Sequence, residues 1–304
     1  MCDCLKSQIV FDTTTLDKIV TDPWWVLDNE HAFWAEYRAQ VLVCKWAEQV
    51  GYAIPYEKWR DRMREWANLS PAEREEHPLM KAAQRIMDGK KVFIERALPH
   101  ECSFLPSGVD LSVTIQFTAF IPPNAFAVED IVVDIASKYW KGNPEHILNL
   151  LVHEIFHVGY SFYRSLHDEK ERVGTDLNKL LNNIVSEGIC TYVAYRALPI
   201  FNVEDERDYQ LLDDFEEVRR AFASTNTILS RIGQVPSEEL QKLSWTKGVM
   251  ERAFYISGAH LCRVIDTQIG RAALIEIFAK GPLAIITLYN SIAEPDLKIS
   301  LPEE

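Results

Sequence analysis

The 304-residue sequence predicts an α+β fold that is mostly helical. A helical N-terminal lobe covers residues 1–105, and residues 106–304 form a domain with a small antiparallel sheet and a central buried helix. Three observations lead there. The first hundred residues carry aromatic-rich stretches at helical spacing, strict alternation takes over between Leu111 and Phe120, and helical periodicity returns after Gly142. Hydrophobic residues make up 47 % of the chain and charged residues 25 %, which suits a packed core and excludes a disordered or collagen-like chain.

In the N-terminal lobe, six of the eight tryptophans lie between Trp24 and Trp66. Such a cluster either binds a ligand or packs helices. Packing is the simpler reading, because each indole buries much area with one polar atom to satisfy. Arg60-Asp61-Arg62-Met63-Arg64-Glu65 reads as a solvated helix face of mixed sign. Ser70-Pro71-Ala72-Glu73 opens a helix, with Ser70 as the cap.

The period changes after Pro106-Ser107-Gly108. Val113, Ile115, Phe117 and Ala119 then alternate with Ser112, Thr114, Gln116 and Thr118, the pattern of a half-buried strand. Its edge is a candidate for pairing with an extended substrate. Pro122-Pro123-Asn124 breaks it, and Ile131-Val132-Val133-Asp134-Ile135 reads as a second, more buried strand.

Asn143-Pro144-Glu145 opens the next helix with a capping Asn, Pro at the first position and an acid in the first turn. Its body, Ile147 to Val158, is apolar on every face, so it is expected to be central and buried. His153, Glu154 and His157 are set into it. Residues four apart lie one above the other on a helix, so both imidazoles can chelate one ion. Glu154 stands about 100° round from His153, beside the metal, where a carboxylate can work on water. The arrangement is the HExxH pattern of zinc hydrolases. Two buried histidines and an acid are costly without a partner, and a divalent cation supplies one.

Catalytic zinc takes three protein ligands. The helix predicted from about Asp176 to Leu198 places Glu187 within about 20° of Leu180 and Ala194 on its apolar stripe. A carboxylate there needs a neutralising partner, which makes Glu187 the third ligand; Asp176, the rival, reads as a helix cap.

With His153-Glu154-Ile155-Phe156-His157 and Ser186-Glu187-Gly188 in view, the chain resembles the gluzincins, zinc metallopeptidases with thermolysin-like domains. It is most similar to a group of zinc-dependent peptidases of unassigned function that add a late Tyr-x-x-Gly helix. Here that helix is Tyr255-Ile256-Ser257-Gly258, followed by Gly270-Arg271. The resemblance spans roughly Leu111 to Tyr289 and implies a zincin-like domain, a Zn²⁺ cofactor and a peptide or protein substrate. Tyr160 and Tyr163 depart from the metzincins, and Leu177 from the aspzincins. Thr191 stands where thermolysin relatives place an Asp.

The implied chemistry is amide hydrolysis: His153, His157 and Glu187 hold zinc, and Glu154 is the general base. The oxyanion donor is Tyr255 or His260, on different faces of one helix, and the resemblance ranks Tyr255 first. Two other readings stay open. One is a metal-containing interaction protein without turnover. The other is a di-iron helical protein, which needs Glu-x-x-His twice where this chain has it once.

Lys+Arg 32 against Asp+Glu 45 leaves −13, so neither nucleic acid nor anionic lipid is an expected partner. No apolar run approaches the ~20 residues of a membrane span. Cys2, Cys4, Cys44, Cys102, Cys190 and Cys262 form no CxxC pair. With no apolar segment near Met1, a cytoplasmic protein with reduced thiols is expected.

Overall fold

Five residues, Gln8–Asp12, send Ile9 and Phe11 inward and leave Val10 exposed, and they form strand β1. This computed structural model describes residues 8–109, 111–121, 124–137, 143–167, 175–203 and 207–302. Cys2, Cys4, Gly142 and the Pro122-Pro123 break lie outside the described residues. After β1 come α1 (Thr14–Thr21), α2 (Pro23–Asp28), α3 (Glu30–Glu36), α4 (Arg38–Val50), α5 (Tyr56–Asn68), α6 (Pro71–Glu76) and α7 (Pro78–Val92). A π-helical turn, Phe93–Ala97, joins α7 to α8 (Leu98–Cys102). Strands β2 (Ser112–Thr118), β3 (Ala125–Ala127) and β4 (Ile131–Asp134) precede α9 (Pro144–His167). The rest is helical, as expected: α10 (Asp176–Arg196), α11 (Leu198–Phe201), α12 (Arg207–Asp213), α13 (Phe215–Leu229), α14 (Ser237–Leu243), α15 (Ala253–Gln268), α16 (Arg271–Phe278) and α17 (Pro282–Ile292). No described helix is long and apolar enough to cross a membrane.

The chain divides into two units, one of Cys4–Leu98 with Asp110–Val158, the other mainly of Pro99–Val109 with Gly159–Glu304. The boundary read from composition, between 105 and 106, falls inside the Pro99–Val109 segment.

The first unit contains the sheet, in the order β1-β2-β4-β3. It is mixed, which corrects the expected antiparallel sheet. β1 runs parallel to β2 with Ile9 opposite Val113, β2 parallel to β4 with Phe117 opposite Val133, and only β3 antiparallel to β4. The helices α1–α8 between β1 and β2 supply the long crossover that a parallel pair requires.

A second correction concerns β2. Gln116 and Thr118, on its supposedly wet face, are 3 % and 0 % exposed. Gln40 of α4 covers that face and donates from Nε2 to Thr118 Oγ1 at 3.2 Å. With β1 on one side and β4 on the other, β2 has no free edge for a substrate; the outer strands are β1 and β3.

Packing accounts for the central tryptophans. Trp34, Trp59 and Trp66 are buried, Trp34 meets Trp59 edge-on at 5.4 Å, and Trp66 Nε1 donates to Ile19 O at 3.0 Å. Trp24 is exposed. Ser70 and Glu73 cap α6 reciprocally: Glu73 N donates to Ser70 Oγ at 3.3 Å, and Ser70 N to Glu73 Oε2 at 2.8 Å.

The second unit is built on α10 and α15. Gly188 and Gly258 let their backbones touch: a Cβ on Gly188 would lie 2.2 Å from the Gly258 carbonyl carbon. A partly buried polar knot reinforces the crossing. Tyr192 Oη donates to Asp266 Oδ2 at 2.7 Å, and Arg271 donates to both Asp266 oxygens at 2.9 and 2.7 Å. The four described cysteines are unbridged.

Candidate metal centre

Helix α9 starts as its sequence dictates, with Asn143 Oδ1 accepting from Glu145 N at 3.0 Å. Ile147, Leu148, Leu151, Val152, Ile155 and Phe156 are all buried, so the helix is embedded in apolar surroundings. His153 and Glu154, each 9 % exposed, are therefore held on a rigid, largely dry element. One turn separates His153 from His157, and their Nε2 atoms approach to 3.0 Å with the rings edge-on at 72°.

Glu187 comes from α10. That helix begins at Asp176, but its cap is Thr175, whose Oγ1 accepts from Asn178 N at 3.2 Å. Asp176 is thus one residue inside the helix rather than its cap, and its carboxylate accepts from Ser237 Oγ. Downstream, Leu180 and Ala194 are buried while Glu187 keeps partial exposure.

His153, His157 and Glu187 each offer one ligand atom, and these atoms lie within 4.8 Å of one another. The donor set suits zinc. Two imidazole nitrogens bound tetrahedrally at about 2.0–2.1 Å stand roughly 3.3 Å apart, close to the 3.0 Å seen between the Nε2 atoms. Two imidazoles and one carboxylate also match the ligand types of a three-ligand catalytic zinc site.

The two oxyanion candidates have different surroundings on α15. Tyr255 is 9 % exposed, and the Arg252 guanidinium sits 3.2 Å over its ring. Arg252 has left-handed backbone (φ 70°), and its Nε donates to Asp208 Oδ1 and Oδ2, both at 2.9 Å. His260 packs edge-on against Phe222 at 5.7 Å and Tyr289 at 6.5 Å, and Arg263 approaches its Nδ1 at 3.3 Å. Burial, helped by the Arg263 charge, lowers its pKa to about 4, so at neutral pH it is an uncharged imidazole. Thr191 is buried, and its Oγ1 makes no hydrogen bond among the described residues.

Sequence reasoning missed Arg252 and Asp208. Their only signal was a lone Arg and a lone Asp far apart in the chain. Gly188 and Gly258 were visible as parts of motifs, but the backbone contact that requires glycine was not.

Residues 47–297 match the protein family described as "Putative zinc dependent peptidase (DUF5700)". No curated protein and no solved structure matches the chain.

Proposed function

The chain belongs to the DUF5700 family, and on that premise we propose that it is a zinc-dependent peptidase of gluzincin type. The observation that carries this reading is the convergence of His153, His157 and Glu187 within 4.8 Å. These three residues would hold the metal. Zinc bound there supplies Lewis-acid polarisation and a water with its pKa lowered toward ~7.

The chain's own groups do the rest. Glu154 follows His153 directly and faces about 100° round the helix, so it serves the reaction without competing as a ligand. Its carboxylate takes the proton of the attacking water and returns a proton to the leaving amine nitrogen. The Tyr255 hydroxyl donates to the developing oxyanion. It is preferred to His260 because Arg252, itself held by Asp208, fixes the Tyr255 ring, whereas the His260 ring is packed among Phe222 and Tyr289 and its Nδ1 is engaged by Arg263. The low dielectric around α9 strengthens the interactions of Glu154. The substrate is a peptide or protein. Among the described strands, an extended stretch of it can add at β1 or β3, the outer strands. A net charge of −13 disfavours nucleic acid as a substrate.

The test is Glu154→Gln. The variant is expected to retain about one zinc per chain while cleavage of a mixed peptide pool falls by about 10²–10⁴-fold. Undiminished cleavage removes Glu154 from the mechanism. A zinc-loaded wild type that leaves the whole pool uncut favours a silent metal-containing protein, and iron in place of zinc revives the di-iron reading.

A further inference from the structure

We propose that a cavity on helix α5 is a second ligand site, taking a carboxylate carried next to an apolar or aromatic side chain. The site is independent of the metal centre.

The cavity has a volume of about 210 Å³, with Tyr52, Trp59 and Phe120 among the residues that line it. Two cations, Lys58 and Arg62, stand on its wall. They are four residues apart on α5 and so share one helix face, where like charges repel. Neither makes an ion pair among the described residues. The contrast lies on the same helix: Arg60 pairs with Glu30 and Glu57, and Arg64 with Asp61. In a chain of net charge −13, two adjacent cations with no ion pair among the described residues mark a place built for an anion from outside.

Two further observations point the same way. Trp59 is 1 % exposed, yet its Nε1–H has no hydrogen-bond partner, whereas Trp66 on the same helix donates to Ile19 O. A buried donor lining a cavity is satisfied by an acceptor that enters it. Phe120, which also lines the cavity, has left-handed backbone with φ 68°, an outlier for a bulky residue. It is held there by Asp134, whose Oδ1 accepts from Phe120 N and Ala136 N, both at 2.9 Å. Strained backbone of this kind gathers at ligand clamps. Asp134 also feels the Arg62 charge, but its Oδ1 is committed to this loop.

The volume falls below the roughly 300–1,000 Å³ of sites for drug-sized ligands, so the occupant is about one residue in size. Rings for an apolar body, two cations for an anionic head and one N–H donor describe a carboxylate beside a side chain. That chemistry comes from the C-terminal residue of a peptide or from a free aromatic acid.

The experiment is isothermal titration of the full chain, stripped of metal by a chelator so that no carboxylate docks on zinc. The probes are N-acetyl-Ala-Ala-Phe, its C-terminal amide and 3-phenylpropionate. Both acids are expected to bind with Kd of about 1 mM, and the amide at least about tenfold more weakly. Lys58→Gln/Arg62→Gln is expected to weaken the acids about tenfold with an unchanged melting temperature, since both side chains are exposed. Trp59→Phe, which keeps a ring and removes the N–H, gives a several-fold loss. Tighter binding of the tripeptide supports a chain end as the occupant, and equal binding of the two acids supports a free acid. No heat up to about 20 mM, an amide that binds as well as its acid, or a double variant that binds normally overturns the proposal.

Discussion

Gly188 and Gly258 press the backbones of α10 and α15 together so closely that neither tolerates a side chain. A Cβ on Gly258 would lie 2.1 Å from Ile184 O, and one on Gly188 2.2 Å from the Gly258 carbonyl carbon. These are backbone atoms and cannot swing aside. Glu187 precedes one of these glycines directly, and Tyr255 lies one turn before the other, so the crossing sets the bearing of both residues.

Gly258→Ala is therefore expected to destabilise the fold by about 3 kcal/mol or more and to weaken zinc binding. Gly89→Ala is the control, because its Cβ would meet only the flexible tip of Leu148, at 2.4 Å. There the overpacking is offset by helix propensity worth about 0.5–1 kcal/mol. Thermal melts with zinc titrations distinguish the two, and equal effects contradict the argument.

Arg271→Ala leaves Asp266, whose side chain is 7 % exposed, without its cation. Hydrogen bonds from Arg271 and Tyr192 hold that carboxyl below the usual carboxylate range against the opposing pull of burial. The expected loss is about 3 kcal/mol in urea denaturation, because a buried charge is stranded. Arg271→Lys keeps the charge but not the two-pronged geometry, and is expected to recover part of it.

Asp134 makes stability depend on pH. Burial raises its pKa to about 7 in the folded chain. An unfolded aspartate titrates near 3.9, so between these values the folded state binds more protons and stability falls as pH rises. Asp134→Asn removes the titration and can keep the acceptor for Phe120 N and Ala136 N. Relative to the variant, wild type is expected to lose roughly 2–3 kcal/mol between pH 5 and pH 8. Parallel slopes for the two proteins contradict this.

Tyr255→Phe keeps the ring beneath Arg252 and removes only the hydroxyl. With the proposed oxyanion donor lost, kcat is expected to fall by about 10²–10³-fold with KM little changed. His260→Gln is expected to leave kcat within a few-fold. The reverse pattern transfers the donor role to His260.

What could be read from the sequence was whatever depends on near neighbours. Asn143 at the start of α9, the Ser70–Glu73 cap, the buried run Ile131–Asp134 and the shared face of His153 and His157 all rest on spacings of a few residues. Glu187 was legible because a carboxylate on an apolar stripe needs a partner, and the fold brings it to the histidines. What escaped depends on distant segments. β1 is too short to show its period and pairs with residues about a hundred positions away. Gln116 and Thr118 look solvent-facing until α4 arrives to cover them. Thr175 and Asp176 are both good caps by residue type, and only the observed hydrogen bond chooses Thr175.

The most direct measurement is an anomalous difference map, at the zinc absorption edge, from crystals of the wild-type chain grown with zinc. One peak is expected, about 2.0–2.2 Å from a nitrogen of His153, a nitrogen of His157 and a Glu187 oxygen, and absent from Glu187→Ala crystals grown at limiting zinc. An empty position between the two imidazoles, or zinc held there with Glu187 turned away, contradicts the account.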